Sequence, residues 1–209
     1  MLLSAKSLKN DINRIMSNLF QKLEIEAFRA GINPRTDESR EWFRKRLQRM
    51  RSVNRLDLQK ETETSNSPIV GSMSMFFYDP KYKDTLPFYD RFPLAVIVGP
   101  APGGFYGLNL HYLPPILRAK MLDGLMDITN NKAYDETTKF RMSNGILTRL
   151  AKLKYYKPCY KHYLRKHMKS RFSIVSAPEW EIATFLPTQD FAKASTGSVY
   201  AASRRAING

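Results

Sequence analysis

Three aspartates fall within one short stretch of the 209-residue chain: Asp79, Asp84 and Asp90, with Lys81 and Lys83 among them. Two carboxylates beside a lysine are what metal-assisted phosphodiester cleavage recruits. The same residues also read as turn chemistry, because Asp-Pro and Asp-Arg steps favour loops, and that reading carries more weight. The histidines are His111, His162 and His167. Set on a helix, the last two would point about 140° apart at 3.6 residues per turn. That spacing is poor for a shared metal, and no cysteine pair accompanies them. The Gly99–Gly104 string GPAPGG is rich in glycine but lacks the following Gly-Lys-Ser/Thr of a phosphate-binding loop, so a hairpin turn is expected. The serines and the lone Cys159 have no triad that the sequence displays. The expectation is a protein with no catalytic residues, no metal and no cofactor.

Charge neutralisation is written far more densely. From Thr137 to Pro178 the chain carries no Asp or Glu. The same stretch holds Lys139, Arg141, Arg149, Lys152, Lys154, Lys157, Lys161, Arg165, Lys166, Lys169 and Arg171. Tyr155, Tyr156, Tyr160 and Tyr163 are interleaved with them. The whole chain has 34 Lys and Arg against 19 Asp and Glu, a net charge of +15. Positive charge at this density repels itself unless a polyanion is near. Nucleic acid is the default polyanion, because each neutralised phosphate releases a condensed counterion. The tyrosines could stack on bases or fill a core. Tyr155 and Tyr156 are adjacent and cannot share one helix face. A second basic run lies at Arg44, Lys45, Arg46 and Arg49. The candidate phosphate contacts are therefore Arg44, Lys45, Arg46 and Arg49, with Lys157, Lys161, Arg165, Lys166, Lys169 and Arg171. Nothing in the pattern supports base readout. An acidic protein neighbour would satisfy the same charges.

The elements that must hold these groups follow from periodicity and punctuation. Leu3, Leu8, Ile12, Ile15, Leu19, Phe20 and Leu23 predict a helix over 2–30, stopped by the Gly31–Pro34 run. A second helix is expected from about Thr36 or Ser39 to Leu58, with Asp37, Glu38 and Glu41 near its positive end. Strands are expected at Ser72–Tyr78, Phe92–Val98, Phe105–His111 and Phe172–Val175, and a strand or short helix at Trp180–Leu186. Gly107 is expected at a bulge or a close approach. Helices are expected at Ile116–Ile128, Thr137–Leu153 and Cys159–Met168. The fold class predicted is α+β: a small antiparallel sheet or barrel over about 72–111 and 172–186, flanked by amphipathic helices and an extended N-terminal helical arm. The expected organisation is a basic arm (1–60), a linker (61–70), a core domain (71–191) and a mobile tail (192–209). With 43% hydrophobic residues the chain has material for a core, so it is not a disordered basic tail. One cysteine allows no internal disulfide and fits synthesis in a reducing cytoplasm. The N-terminal stretch is too polar for a signal peptide. The longest apolar run, Pro93–Val98, is too short to span a membrane.

Several long strings carry a family resemblance. FFYDPKYKDTLPFYDRFPL (76–94), GGFYGLNLHYLPPILRAKMLD (103–123) and KPCYKHYLRKHMKSRF (157–172) are the most distinctive. PRTDESREWFRKR (34–46) and EWEIATFLPTQDF (179–191) belong to the same pattern. Over about Ala27 to Phe191 the chain resembles a virion-protein family of T-even-type tailed phages, the DNA end protectors or DNA terminus proteins. The resemblance implies a non-enzymatic structural protein made late in infection in the host cytoplasm, packaged in the virion among other phage proteins. It implies a seat on the ends of the linear genome, shielding them from host exonuclease, and it carries no catalytic residues over. The alternative from another class is a connector, neck or baseplate protein whose basic surface binds acidic virion neighbours.

Overall fold

The computed structural model describes residues 19–50, 53–129, 133, 135, 145–149 and 152–208, with the side chains of 124–129 and of Tyr155 excepted. The centre of the fold is a hairpin of β4 (Leu94–Ala101) and β5 (Gly104–Asn109). The β-branched Val96-Ile97-Val98 run favours extended backbone buried on both faces. Gly103, at φ +69°, supplies the left-handed residue that closes the turn. The β4–β5 register shifts between Ile97 and Gly99, opposite Gly107 and Tyr106, so the bulge lies on the strand facing Gly107.

The hairpin is part of an antiparallel sheet of six strands. β4 pairs with β2 (Met73–Met75), β2 with β7 (Phe172–Val175), and β7 with β1 (Thr64–Ser65). On the other side β5 pairs with β6 (Tyr160–Leu164). The order is β1-β7-β2-β4-β5-β6, so the sheet is open and not a barrel, with β1 and β6 as its edges. β3 (Tyr89–Asp90) and β8 (Phe191–Ala192) form a separate two-stranded ribbon.

Strand alternation sends side chains to two cores. Met73, Met75, Leu94, Val96, Leu108 and Val175 share one cluster with the helices. That layer is fed by α1 (Leu19–Arg29) through Phe20 and Leu23, α2 (Asp37–Gln48) through Phe43 and Leu47, and α3 (Arg55–Glu61) through Leu58. α4 (Pro115–Thr129) adds Met121 and Leu122, while Leu117 is exposed. α5 (Trp180–Phe185) is buried at every position. Each such apolar side chain contributes about 1.5–3 kcal/mol. The opposite face carries Ala95, Ile97, Phe105, Tyr163 and Phe172 around Phe76. The Phe76 ring meets Tyr163 at 5.1 Å and Phe172 at 5.2 Å, both edge-on.

The sequence expectations are corrected in four places. The second helix is two: α2 begins at a capping box between Thr36 and Ser39 and ends at Gln48, and α3 restarts where the Asn54 side chain accepts from the Leu56 and Asp57 amides. The Cys159–Met168 helix is instead β6, flanked by 3₁₀ turns at Lys154–Cys159 and Arg165–His167, because the open side of β5 offers a ladder that a lone helix cannot match. Trp180–Leu186, expected as a strand or short helix, forms the helix Trp180–Phe185, launched by a Ser176–Glu179 capping box, so the sheet ends at Val175 and does not reach 186. Residues 192–209, expected as a mobile tail, include α6 (Thr196–Asn208), whose Val199 is fully buried. Residues 2–18 of the first expected helix lie outside the described residues, as does most of Thr137–Leu153. Within the latter, 145–149 is helical and Leu147 is buried.

Candidate nucleic-acid interface

β6 runs along an edge of the sheet, and the segments on either side of it carry five of the ten basic candidates. The strand approaches β5 unusually closely. A Cβ on Gly104 would stand 1.8 Å from the Tyr163 carbonyl oxygen, so only glycine fits there. Tyr163 points into the aromatic core, while the neighbouring His162 faces outward and donates from Nε2 to the Pro102 carbonyl, 3.0 Å away. His162 therefore lies on a strand and His167 on a turn, not together on a helix.

Lys157, Arg165, Lys166, Lys169 and Arg171 are all exposed. Backbone and hydroxyl contacts fix two of them. Arg165 donates its amide to the Gly103 carbonyl (2.9 Å) and its guanidinium to Ser67 Oγ (2.8 Å). Arg171 donates to the Thr64 carbonyl at 3.3 Å. Among the described residues the one ion pair of this stretch joins Lys169 Nζ to Asp79 Oδ2 at 3.9 Å. Most of the charge is thus uncompensated. Lys161 differs: its Nζ lies 3.9 Å from the centre of the Tyr112 ring, and burial pushes its ammonium below the ordinary lysine range.

The α2 candidates are largely engaged by acids. Arg44 makes a two-pronged contact with Glu41, at 2.7 Å for each prong, and Lys45 reaches the same carboxylate at 3.3 Å. The Arg44 hydrogen bonds hold the Glu41 carboxyl down to about 2. Arg46 pairs with Glu26 at 2.7 and 3.1 Å. Arg49, at the helix C-cap, is exposed and has no acid partner among the described residues.

The three aspartates do not form a shared site. Asp79 lies with Lys83 and Lys169, whereas Asp90 is buried and accepts four hydrogen bonds. These come from His111 Nδ1 (2.7 Å), Asn109 Nδ2 (3.0 Å), the Phe92 amide (3.1 Å) and the Asp190 amide (3.2 Å). His111 Nε2 then stands 3.0 Å from Thr188 Oγ1. Burial would raise the Asp90 carboxyl, but His111 and the hydrogen bonds hold it below its ordinary range. Burial pushes His111 down against the pull of Asp90, and Arg118 and Arg55 add to the push. The pair is therefore carboxylate and neutral imidazole, with Nδ1–H donating to Asp90 and Nε2 accepting from Thr188. The order of groups matches an acid–base–hydroxyl relay. Both His111 and Thr188 have no exposed surface, so the hydroxyl meets no substrate from solvent. The relay latches β3, the end of β5 and the 186–190 loop together. Sequence reading missed it because Thr188 lies 77 residues from His111. Among the described residues, no three His, Cys, Asp or Glu gather to hold a metal ion.

A buried arginine also escaped the sequence reading. Arg118 of α4 donates to the Leu113 carbonyl (2.7 Å), the Thr184 carbonyl (3.1 Å) and Tyr200 Oη (2.7 Å). It ties α6 to the core through these carbonyl and hydroxyl acceptors.

The described residues thus form an open α+β fold with exposed basic side chains on the turns beside edge strand β6. A family model described as phage T4 terminal DNA protecting protein matches residues 4–208. The chain belongs to this family. No curated protein and no solved structure matched it. Among the described residues no helix is long and apolar enough to cross a membrane.

Proposed function

We propose that this chain binds the termini of phage DNA by contacting phosphates, and protects those termini without performing chemistry on them. The observation that carries the reading is the set of exposed cations, with few acid partners, on the turns that flank β6 and on the segment that leads from β6 into β7. Lys157, Arg165, Lys166, Lys169 and Arg171 form the primary contact set, with Arg49 on α2 as a second contact. Arg44, Lys45 and Arg46 contribute less, because a phosphate must compete with Glu41 and Glu26 for them. Lys161 points inward and serves a different part of the ligand. Family membership supports the DNA terminus as the target and the virion as the place of work, next to other phage proteins.

Counterion release provides the test. The affinity for duplex DNA should fall with a log–log salt slope of roughly 0.9 per phosphate contact. Salt-insensitive affinity would remove the reading. Incubation of DNA with the protein and Mg²⁺ or Mn²⁺ should yield no cleavage, and cleavage dependent on Asp79 or Asp84 would replace binding by catalysis.

A further inference from the structure

The basic edge explains contact with a phosphate backbone, but any stretch of duplex offers that. A terminus offers something more: a nucleotide that can leave the stack. Beside β6, on the aromatic face of the sheet, lies a cavity of about 440 Å³. Its volume falls within the roughly 300–1,000 Å³ of small-molecule sites and is far too small for a duplex. Tyr78, Phe88, Tyr89 and Tyr112 furnish its walls, and the loop from Pro80 to Tyr89 roofs it. Tyr82 stands at the rim, 61% exposed, with Lys81 Nζ 4.8 Å from its ring centre.

Two polar groups in this cavity have no hydrogen-bond partner among the described residues. One is Lys161 Nζ, resting over Tyr112. The other is Tyr163 Oη, which is buried with no partner in hydrogen-bond geometry. Lys161 is half-buried, but the Tyr163 hydroxyl is fully buried, and a buried polar group left unpaired is rare and marks a place where a ligand or water belongs. Asp90 also lines the cavity and its charge acts on Lys161, but its oxygens are taken by four other donors and none of them is hydrogen-bonded to Lys161. The roof is held in place from outside. Lys193, itself at φ +67°, donates Nζ to the carbonyls of Lys83 (2.6 Å), Asp84 (2.9 Å) and Leu86 (3.2 Å).

Aromatic walls, a free ammonium and a cationic rim match the two halves of one nucleotide. Bases stack on aromatic side chains whatever their identity, and phosphates seek ammonium groups. We propose that the cavity receives one unpaired nucleotide at a DNA terminus, its base against the tyrosine wall and its phosphate on Lys161. Phosphate contacts along β6 then position the duplex, and the cavity reads the end. The inference rests on the DNA-terminus reading above and adds the chemical basis for preferring ends.

The test uses the full chain and DNA probes of equal length. One is a duplex capped by hairpins at both ends, one is blunt, and one bears a single-nucleotide overhang of aminopurine, a fluorescent adenine analogue. The overhang duplex should bind tightest, with its fluorescence quenched by stacking. Lys161→Gln and Tyr82→Ala should each weaken overhang binding about tenfold while leaving hairpin-capped binding unchanged. Tyr82 is exposed, so its truncation leaves the fold intact. Unchanged fluorescence with the wild-type protein, or variants that affect all probes equally or not at all, would overturn the cavity. Failure of every probe to bind in a salt-dependent manner would instead overturn the DNA-terminus reading beneath it.

Discussion

Asp90 and His111 show how much the fold depends on a few polar contacts. A buried carboxylate with four donors is stable only while each donor stays in place. Its pH response follows from the directions of the two shifts. His111 titrates lower in the folded chain than in the unfolded one. Below about pH 6.5 the unfolded chain gains a proton that the folded chain refuses, so stability falls as pH drops. Asp90 adds stability above about pH 3.9, which disappears as pH falls through its lower folded value. Urea midpoints should therefore be lower at about pH 5 than at about pH 7. His111→Asn keeps a donor near Asp90 and removes the titrating ring. It should lower stability at neutral pH by about 1–3 kcal/mol and flatten the slope between those pH values. An equal slope in the variant would show that the pH dependence arises elsewhere. A second residue-scale outcome concerns Gly104. Gly104→Ala places a methyl against the Tyr163 carbonyl, and should cost at least about 1–3 kcal/mol in thermal unfolding. Little of this was legible in sequence. The turn reading of the aspartates was sound for Asp79, but the burial of Asp90 depends on partners at Asn109, His111 and Asp190 that no local pattern connects.

Among the elements, β6 is the one whose reading matters most. Tyr160-Lys161-His162-Tyr163-Leu164 has no helical stripe, and in isolation no clear strand period either, since Lys161 turns inward alongside Tyr163. The pairing with β5 decides it, and that partner lies more than fifty positions away in register, as Phe105 with Tyr163. By contrast β7 was legible to the residue, because Phe172-Ser173-Ile174-Val175 is β-branched and aromatic and ends at Ser176. The β4–β5 hairpin was legible for the same reason, although its strands run closer to the turn than expected. The two basic clusters should separate by charge substitution. Replacing Lys157, Lys166 and Lys169 together by Gln should reduce the salt slope by roughly 0.9 for every phosphate that is no longer neutralised. Replacing Arg44 and Arg46 should change the slope less and act mainly through the broken Glu41 and Glu26 pairs. Equal slopes for both sets would contradict the division of labour. At the other end of the chain, Tyr200→Phe leaves one Arg118 nitrogen unpaired. Destabilisation by about 1–3 kcal/mol is expected in a urea titration, through loosening of α6.

At the scale of the molecule, the charge was legible and its placement was not. The acid-free stretch announced a polyanion, and several of its cations do stand exposed around a sheet edge. Part of the stretch is nonetheless core: Leu147, Cys159 and Tyr163 are buried, and Lys161 lies over an aromatic ring. The C-terminal residues, which composition alone marks as loose, complete the ribbon with β3 and clamp the loop above the cavity through Lys193. The proposed function gives these surfaces a common object, the end of a phage DNA molecule. The central claim is that the protein holds DNA by backbone charge and favours its termini. The most direct measurement compares binding to linear and to covalently closed DNA of the same sequence across a salt series. Tighter binding to the linear form is predicted, with both affinities falling steeply as salt rises. Equal affinity for the two forms, or affinity that salt does not change, would contradict it.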